Sequence, residues 1–82
     1  MTAEPVQADS FMLRLADLKF RESKVLDVLV ELGGSGFLDT VAQIASDNSK
    51  WTPAEIKEGV FFSEMWGVLE VDADDIVRLP GV

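Results

Sequence analysis

At Gly67 the apolar period of the chain changes. Upstream, "TPAEIKEGVFFSEMWG" (52–67) opens with helix-start signals and spaces its apolar residues by three and four. Downstream, "VLEV" and "IVRL" alternate with a period of two around the acidic "DADD". The switch commits the C-terminal third to a helix followed directly by a β-hairpin, so the rest of an 82-residue chain must supply the layer on which both pack. Thr52 is a suitable N-cap, Pro53 suits the first helical position, and Glu55 stands three residues after Thr52. "TPAE" is therefore a capping box, and a third helix is predicted to start there and end at Gly67.

Two helical stretches precede it. In "SFMLRLADLKFRESKVLDVLVELGG" Val25, Leu29 and Leu32 fall at i, i+4 and i+7, with Leu26 and Val30 widening the stripe, which predicts a helix from Arg21 to Leu32 closed by the glycine pair. Phe11 to Phe20 fits either an alternating strand or a short helix capped by Ser10, and the helix is preferred. Phe37, Leu38, Val41, Ile44 and Ala45 predict a second helix from Phe37 to Ser46, stopping in the polar "SDNSK". Residues 1–9 are small, polar and proline-containing, and read as a flexible tail ahead of one domain over residues 10–82. The fold class expected is mainly α with a small β-hairpin.

That order resembles the winged helix-turn-helix superfamily, in which a first helix, a helix-turn-helix pair and a two-stranded wing share one core. The likeness rests on "RESKVLDVLVELGG", "FLDTVAQIASDN", "TPAEIKEGVFFSEMWG" and "VLEVDADDIVRL", and covers about residues 20–80. It implies a winged-helix-like fold in which the third helix of DNA-binding members enters the major groove. Here residues 50–82 hold three basic residues (Lys50, Lys57, Arg78) against seven acidic ones, a net charge of −4 where phosphate would be met. The acidic region "ELGGSGFLDTV" is also similar to the turn of acyl and peptidyl carrier proteins. Neither alignment puts a serine at the attachment position (Gly36 or Phe37 falls there), and a hairpin has no place in a four-helix carrier, so that resemblance is rejected.

Composition narrows the chemistry. There is no Cys and no His, which removes thiolate chemistry, Cys-based zinc sites and the commonest general base. The serines have no His partner, and no carboxylate pair is marked as an acid–base couple, so no catalytic residue, cofactor or metal is expected and the chain is read as non-enzymatic. "DADD" with Glu70 lacks the glycine and trailing glutamate of a calcium loop and reads as a solvated turn. The first nine residues lack a signal-peptide pattern and nowhere do about 20 apolar residues run together. An intracellular, cytoplasmic protein with no membrane partner is expected. A net charge of −8 disfavours polyanions, because nucleic-acid affinity draws on cations at phosphates.

Two groups of residues remain as binding candidates. On the third helix Ile56, Val60 and Ser63 or Glu64 form one stripe, Phe61 and Met65 a second, and Phe62 and Trp66 a third. A core this small cannot bury all three, so Ile56, Val60 and one aromatic pair are expected inside. The other pair, together with Trp51, would form an exposed patch for a protein partner. That partner is either a second copy, giving a dimer, or a component of a transcription, nucleic-acid or defence machinery, and the acidic surface could imitate DNA as an inhibitor does. The second group is basic: Arg14, Lys19, Arg21 and Lys24, joined by Lys50 and Lys57. These read as helix-surface charge, as a docking face for an acidic partner, or, if they converge, as DNA contacts of a sequence-specific transcriptional regulator.

Overall fold

Between Val6 and Leu32 no glycine or proline interrupts the chain, and residues 11–20, ambiguous in spacing, join the stretch that follows in a single helix of 29 residues, α1 (Ala3–Glu31). The computed structural model describes the backbone over residues 3–81 and the side chains over 12–81. The tail expected over residues 1–9 is replaced by helix from Ala3, with positions 1 and 2 outside the described residues. Pro5 is tolerated because it falls in the first turn, whose N–H groups have no acceptor within the helix.

The remaining elements are β1 (Ser35–Phe37), α2 (Leu38–Asp47), α3 (Pro53–Met65), β2 (Glu70–Val71) and β3 (Ile76–Arg78). The hairpin is part of a larger sheet than its sequence suggested. Three antiparallel strands lie in the order β1-β3-β2, with Gly36 opposite Val77 on one side and Val71 opposite Val77 on the other. A mainly helical core with a small β wing results.

Local chemistry fixes the ends of these elements. At the start of α3 the Thr52 hydroxyl accepts from the Glu55 N–H at 3.2 Å, while the Glu55 carboxylate accepts from the Thr52 N–H at 2.9 Å. The ends of α1 and α3 share one device. Gly33 (φ 91°) and Gly67 (φ 78°) take the left-handed region that glycine enters without penalty. The next N–H then reaches back across the last turn, Gly34 to Leu29 O at 2.8 Å and Val68 to Ser63 O at 2.9 Å. No side chain caps α2; instead the Leu38 N–H donates to Asp75 O, at 2.8 Å, in the wing turn. That turn is organised by Asp72, whose Oδ1 accepts from the N–H groups of Asp74 (2.9 Å) and Ile76 (3.1 Å). These bonds, the one from Ile76 foremost, hold the Asp72 carboxyl below its ordinary value. The acidic turn therefore closes the hairpin and caps a helix.

The core lies where the three helices meet the sheet. Val25, Val28 and Leu29 of α1 pack on Leu38, Val41, Ala42 and Ala45 of α2 and on Ile56 and Val60 of α3, with Leu69, just before β2, and Val77 of β3 closing it from the sheet side. Full burial of each such large aliphatic side chain is worth about 1.5–3 kcal/mol.

Candidate protein-docking groove

The buried face of α3 consists of Ile56, Gly59, Val60 and Ser63. Neither aromatic pair enters it, contrary to the expectation that one would. The reason is the closeness of α1 and α3: a Cβ on Gly59 would lie 2.9 Å from Arg21 Cβ, so only small residues fit at this crossing. Ser63 fills the next turn, its hydroxyl 2.8 Å from Glu22 Oε2 and 2.9 Å from Gly59 O, and it donates to one of these at a time. Glu22, itself buried, also accepts from Lys19 Nζ at 3.0 Å. From sequence Glu22 reads as a surface partner for the neighbouring cations, and its burial was not foreseen, although it lies three residues before Val25 on the same stripe.

The aromatic residues are displaced to the flanks of that face. Phe61 (49% exposed) and Met65 (79%) point away from the core. Phe62 and Trp66 lie on the side next to α1, their ring centroids 6.1 Å apart and tilted by 58°, a favourable aromatic geometry. Phe62 is half-buried and Trp66 is 66% exposed. Both meet the part of α1 that precedes the core. A recess of about 240 Å³ is lined by Leu15, Lys19, Phe62 and Trp66, and an adjoining one of about 420 Å³ by Arg14, Leu15, Leu18, Phe62, Met65 and Trp66. Together they form an apolar groove between the first half of α1 and the C-terminal end of α3, with Arg14 and Lys19 at its rim. Leu15 and Leu18, read from sequence only as helix-forming positions, are its second wall.

Trp51 is elsewhere and does not join this patch. It is half-buried against the core, its indole N–H donates to Asp17 Oδ1 at 3.3 Å, and the Arg21 guanidinium and Lys50 Nζ lie 5.9 and 5.6 Å from its ring. The polar loop after α2 turns it inward, with Ser46 Oγ donating to Trp51 O at 2.8 Å. Trp51 is a wedge between α1 and the start of α3.

The six basic candidates are dispersed. Arg14 and Lys19 stand at the groove. Arg21, its side chain only 12% exposed, donates to Asp17 through Nε (2.8 Å) and Nη2, to Glu55 O (3.1 Å) and to Glu58 Oε1 (2.6 Å). It clamps α1 to α3. Lys24 lines a separate open hollow with Asp27, Glu31 and Asn48. Lys50 lies over Trp51, and Lys57 pairs with Asp39 at 2.6 Å. Hydrogen bonds from Arg21, opposed in part by burial and supported by Trp51, hold the Asp17 carboxyl below its ordinary value. Comparison with known protein families, curated proteins and solved structures finds no match to this chain. Among the described residues no helix is long and apolar enough to cross a membrane.

Proposed function

We propose that this chain is a small acidic interaction module, without catalytic function, that seats a protein partner in the groove between α1 and the end of α3. One observation carries the reading. Phe62, Met65 and Trp66 gather with Leu15 and Leu18 on one continuous surface, although a helix in this position could have carried polar residues there. Aromatic residues and Met are the side chains that dominate binding energy when an interface closes over them, and the polar rim of Arg14 and Lys19 suits that role.

Against a DNA-reading role stand the net charge of −4 over residues 50–82 and the engagement of Lys57 by Asp39 and of Arg21 by Asp17 and Glu58. The acidic wing and α3 remain suited to a basic protein surface, of the kind found in transcription, nucleic-acid or defence machineries, and mimicry of DNA is one form this could take.

Replacing Phe62 and Trp66 together by Ser tests the groove. Association, with itself or with a partner, is expected to be lost while far-UV circular dichroism stays unchanged, because neither residue is in the core. Association that survives the double substitution removes the groove from the mechanism. A titration with duplex DNA separates the competing class: no binding is expected even at about 10 mM salt, whereas an affinity that falls steeply as salt rises identifies a DNA-binding regulator.

A further inference from the structure

We propose that the part of α1 ahead of Asp17 is a movable strap: it forms one wall of the groove, is latched by Leu15, and is released by unwinding while the core stays folded. The inference concerns the wall of the groove and holds whatever docks beside it.

The first ground is where α1 is fastened. Its buried residues begin at Glu22, and Met12, Leu13, Arg14 and Ala16 are all exposed. Among the described side chains ahead of Asp17, Leu15 alone is half-buried, and it lines both recesses together with Phe62 and Trp66. From Asp17 onward the helix is tied down. Asp17 accepts from Arg21 and from the Trp51 indole N–H, Lys19 donates to Glu22, and Arg21 reaches Glu55 O and Glu58. Residues 3–16 therefore extend past the last polar tie of α1, held on the body through one aliphatic side chain.

The second ground is how such a segment can move. Between Val6 and Leu32 there is no glycine or proline to act as a hinge, so the strap cannot swing as a rigid rod. It leaves by unwinding from its free end. Residues 3–16 are just under four turns of helix, a length at which a helix without tertiary packing is marginal in water. Unwinding stops at Asp17, because Asp is among the best N-cap residues and there supplies an acceptor for the free N–H groups of the shortened helix. Next in line come the Arg21 and Trp51 contacts and then buried Glu22.

The boundary divides the groove. Arg14 and Leu15 lie on the movable side, while Leu18, Lys19, Phe62, Met65 and Trp66 lie on fastened elements. Release withdraws the first two, opens both recesses on that side, and leaves Val25, Val28 and Leu29 in the core. The molecule thus has a walled groove in one state and an open apolar shelf along the end of α3 in the other.

Amide hydrogen exchange of the full chain, read residue by residue by NMR, tests this. Each helical N–H bonds the carbonyl four residues back, so the amides of residues 18–20 stay bonded until Leu15 unwinds. In the parent chain they are expected to be protected, but at least about tenfold less than those of Val25–Leu29, because a sub-global opening exposes them. A16G touches no packed side chain and should speed their exchange about fivefold through helix propensity alone. L15A should speed it roughly fivefold by removing the latch. Neither should move Val25–Leu29 by more than about twofold. F62S/W66S removes the other half of the latch, so it should speed the same amides, and L15A added to it should contribute less than about twofold further. Protection at residues 18–20 equal to that of Val25–Leu29 overturns the proposal, as does acceleration of both sets alike, which is global unfolding. Indifference to A16G rules out unwinding, and indifference to L15A, or full additivity of L15A with F62S/W66S, rules out the latch; either outcome sinks the strap.

Discussion

Arg21 shows how far a single residue can be from what its type suggests. In the sequence it is one of four cations within eleven positions and reads as surface charge. In the fold its guanidinium bonds Asp17, Glu58 and the Glu55 carbonyl, and lies over the Trp51 ring. The Asp17 contact, four residues back on the same helix, was open to sequence reasoning. Glu55, Glu58 and Trp51 were not, because they lie 30 or more positions away and meet Arg21 only once α1 and α3 cross. The cluster has a pH signature. Asp17 is held below its ordinary value of 3.8, first by the Arg21 hydrogen bonds, so its ionised form stabilises the fold at pH values above 3.8, and that stabilisation is lost as pH falls through the lower folded-state value. Asp72, held low by the backbone N–H of Ile76, acts in the same window. Asp17→Asn is therefore expected to lower the melting temperature at neutral pH, with the difference from the parent chain shrinking below about pH 4, as thermal melts between about pH 7 and pH 2 would record. A gap that stays constant to the acid end would show that the Asp17 charge is not what holds the cluster.

Between elements, the decisive contact is the crossing of α1 and α3, and it sets where the aromatics go. With Gly59 and Ser63 at the crossing, the helices approach until Arg21 Cβ lies 2.9 Å from where a Gly59 side chain would begin, and Phe61, Phe62, Met65 and Trp66 are left outside. The capping box, the Gly67 stop and the stripe of Ile56 and Val60 were all legible in the sequence because each is a local pattern. The missing step was that a glycine and a serine on that stripe mean a close neighbour. β1 was illegible for a related reason. Ser35–Phe37 is three residues with a glycine in the middle, and it is a strand only because β3 pairs with it. Gly59→Ala measures the crossing directly. Alanine gains about 1 kcal/mol of helix propensity over glycine, but overpacking a close contact costs about 1–3 kcal/mol, and the atom it meets is attached to backbone and cannot swing aside. The clash wins, and a net loss of up to about 2 kcal/mol is expected, with the melting temperature falling by roughly 4–8 °C per kcal/mol. A more stable Gly59→Ala variant would mean that α1 and α3 stand further apart.

For the whole molecule the governing quantity is charge over a small volume. A net −8 is carried by a body of 50 × 26 × 19 Å, so at about 10 mM salt, with a screening length near 30 Å, most carboxylates feel one another. Ion pairs oppose this, but most of those between elements are exposed on one or both sides, and exposed pairs are worth only about 0–1 kcal/mol each. Screening at about 0.15 M salt shortens the repulsion to about 8 Å while weakening less the short contacts of the Arg21 guanidinium, whose side chain is only 12% exposed. The repulsive term therefore weakens more than the attractive one. The melting temperature is expected to rise with sodium chloride between these concentrations by a few degrees, the equivalent of up to about 1 kcal/mol for a domain of this size, and the rise should be present in F62S/W66S, which lacks the groove's anchors. A rise confined to the parent chain would come from self-association strengthened by salt; one shared by both comes from relief of repulsion within a single copy. A fall in both would mean that the ion pairs outweigh the repulsion and that the acidic surface costs the fold little.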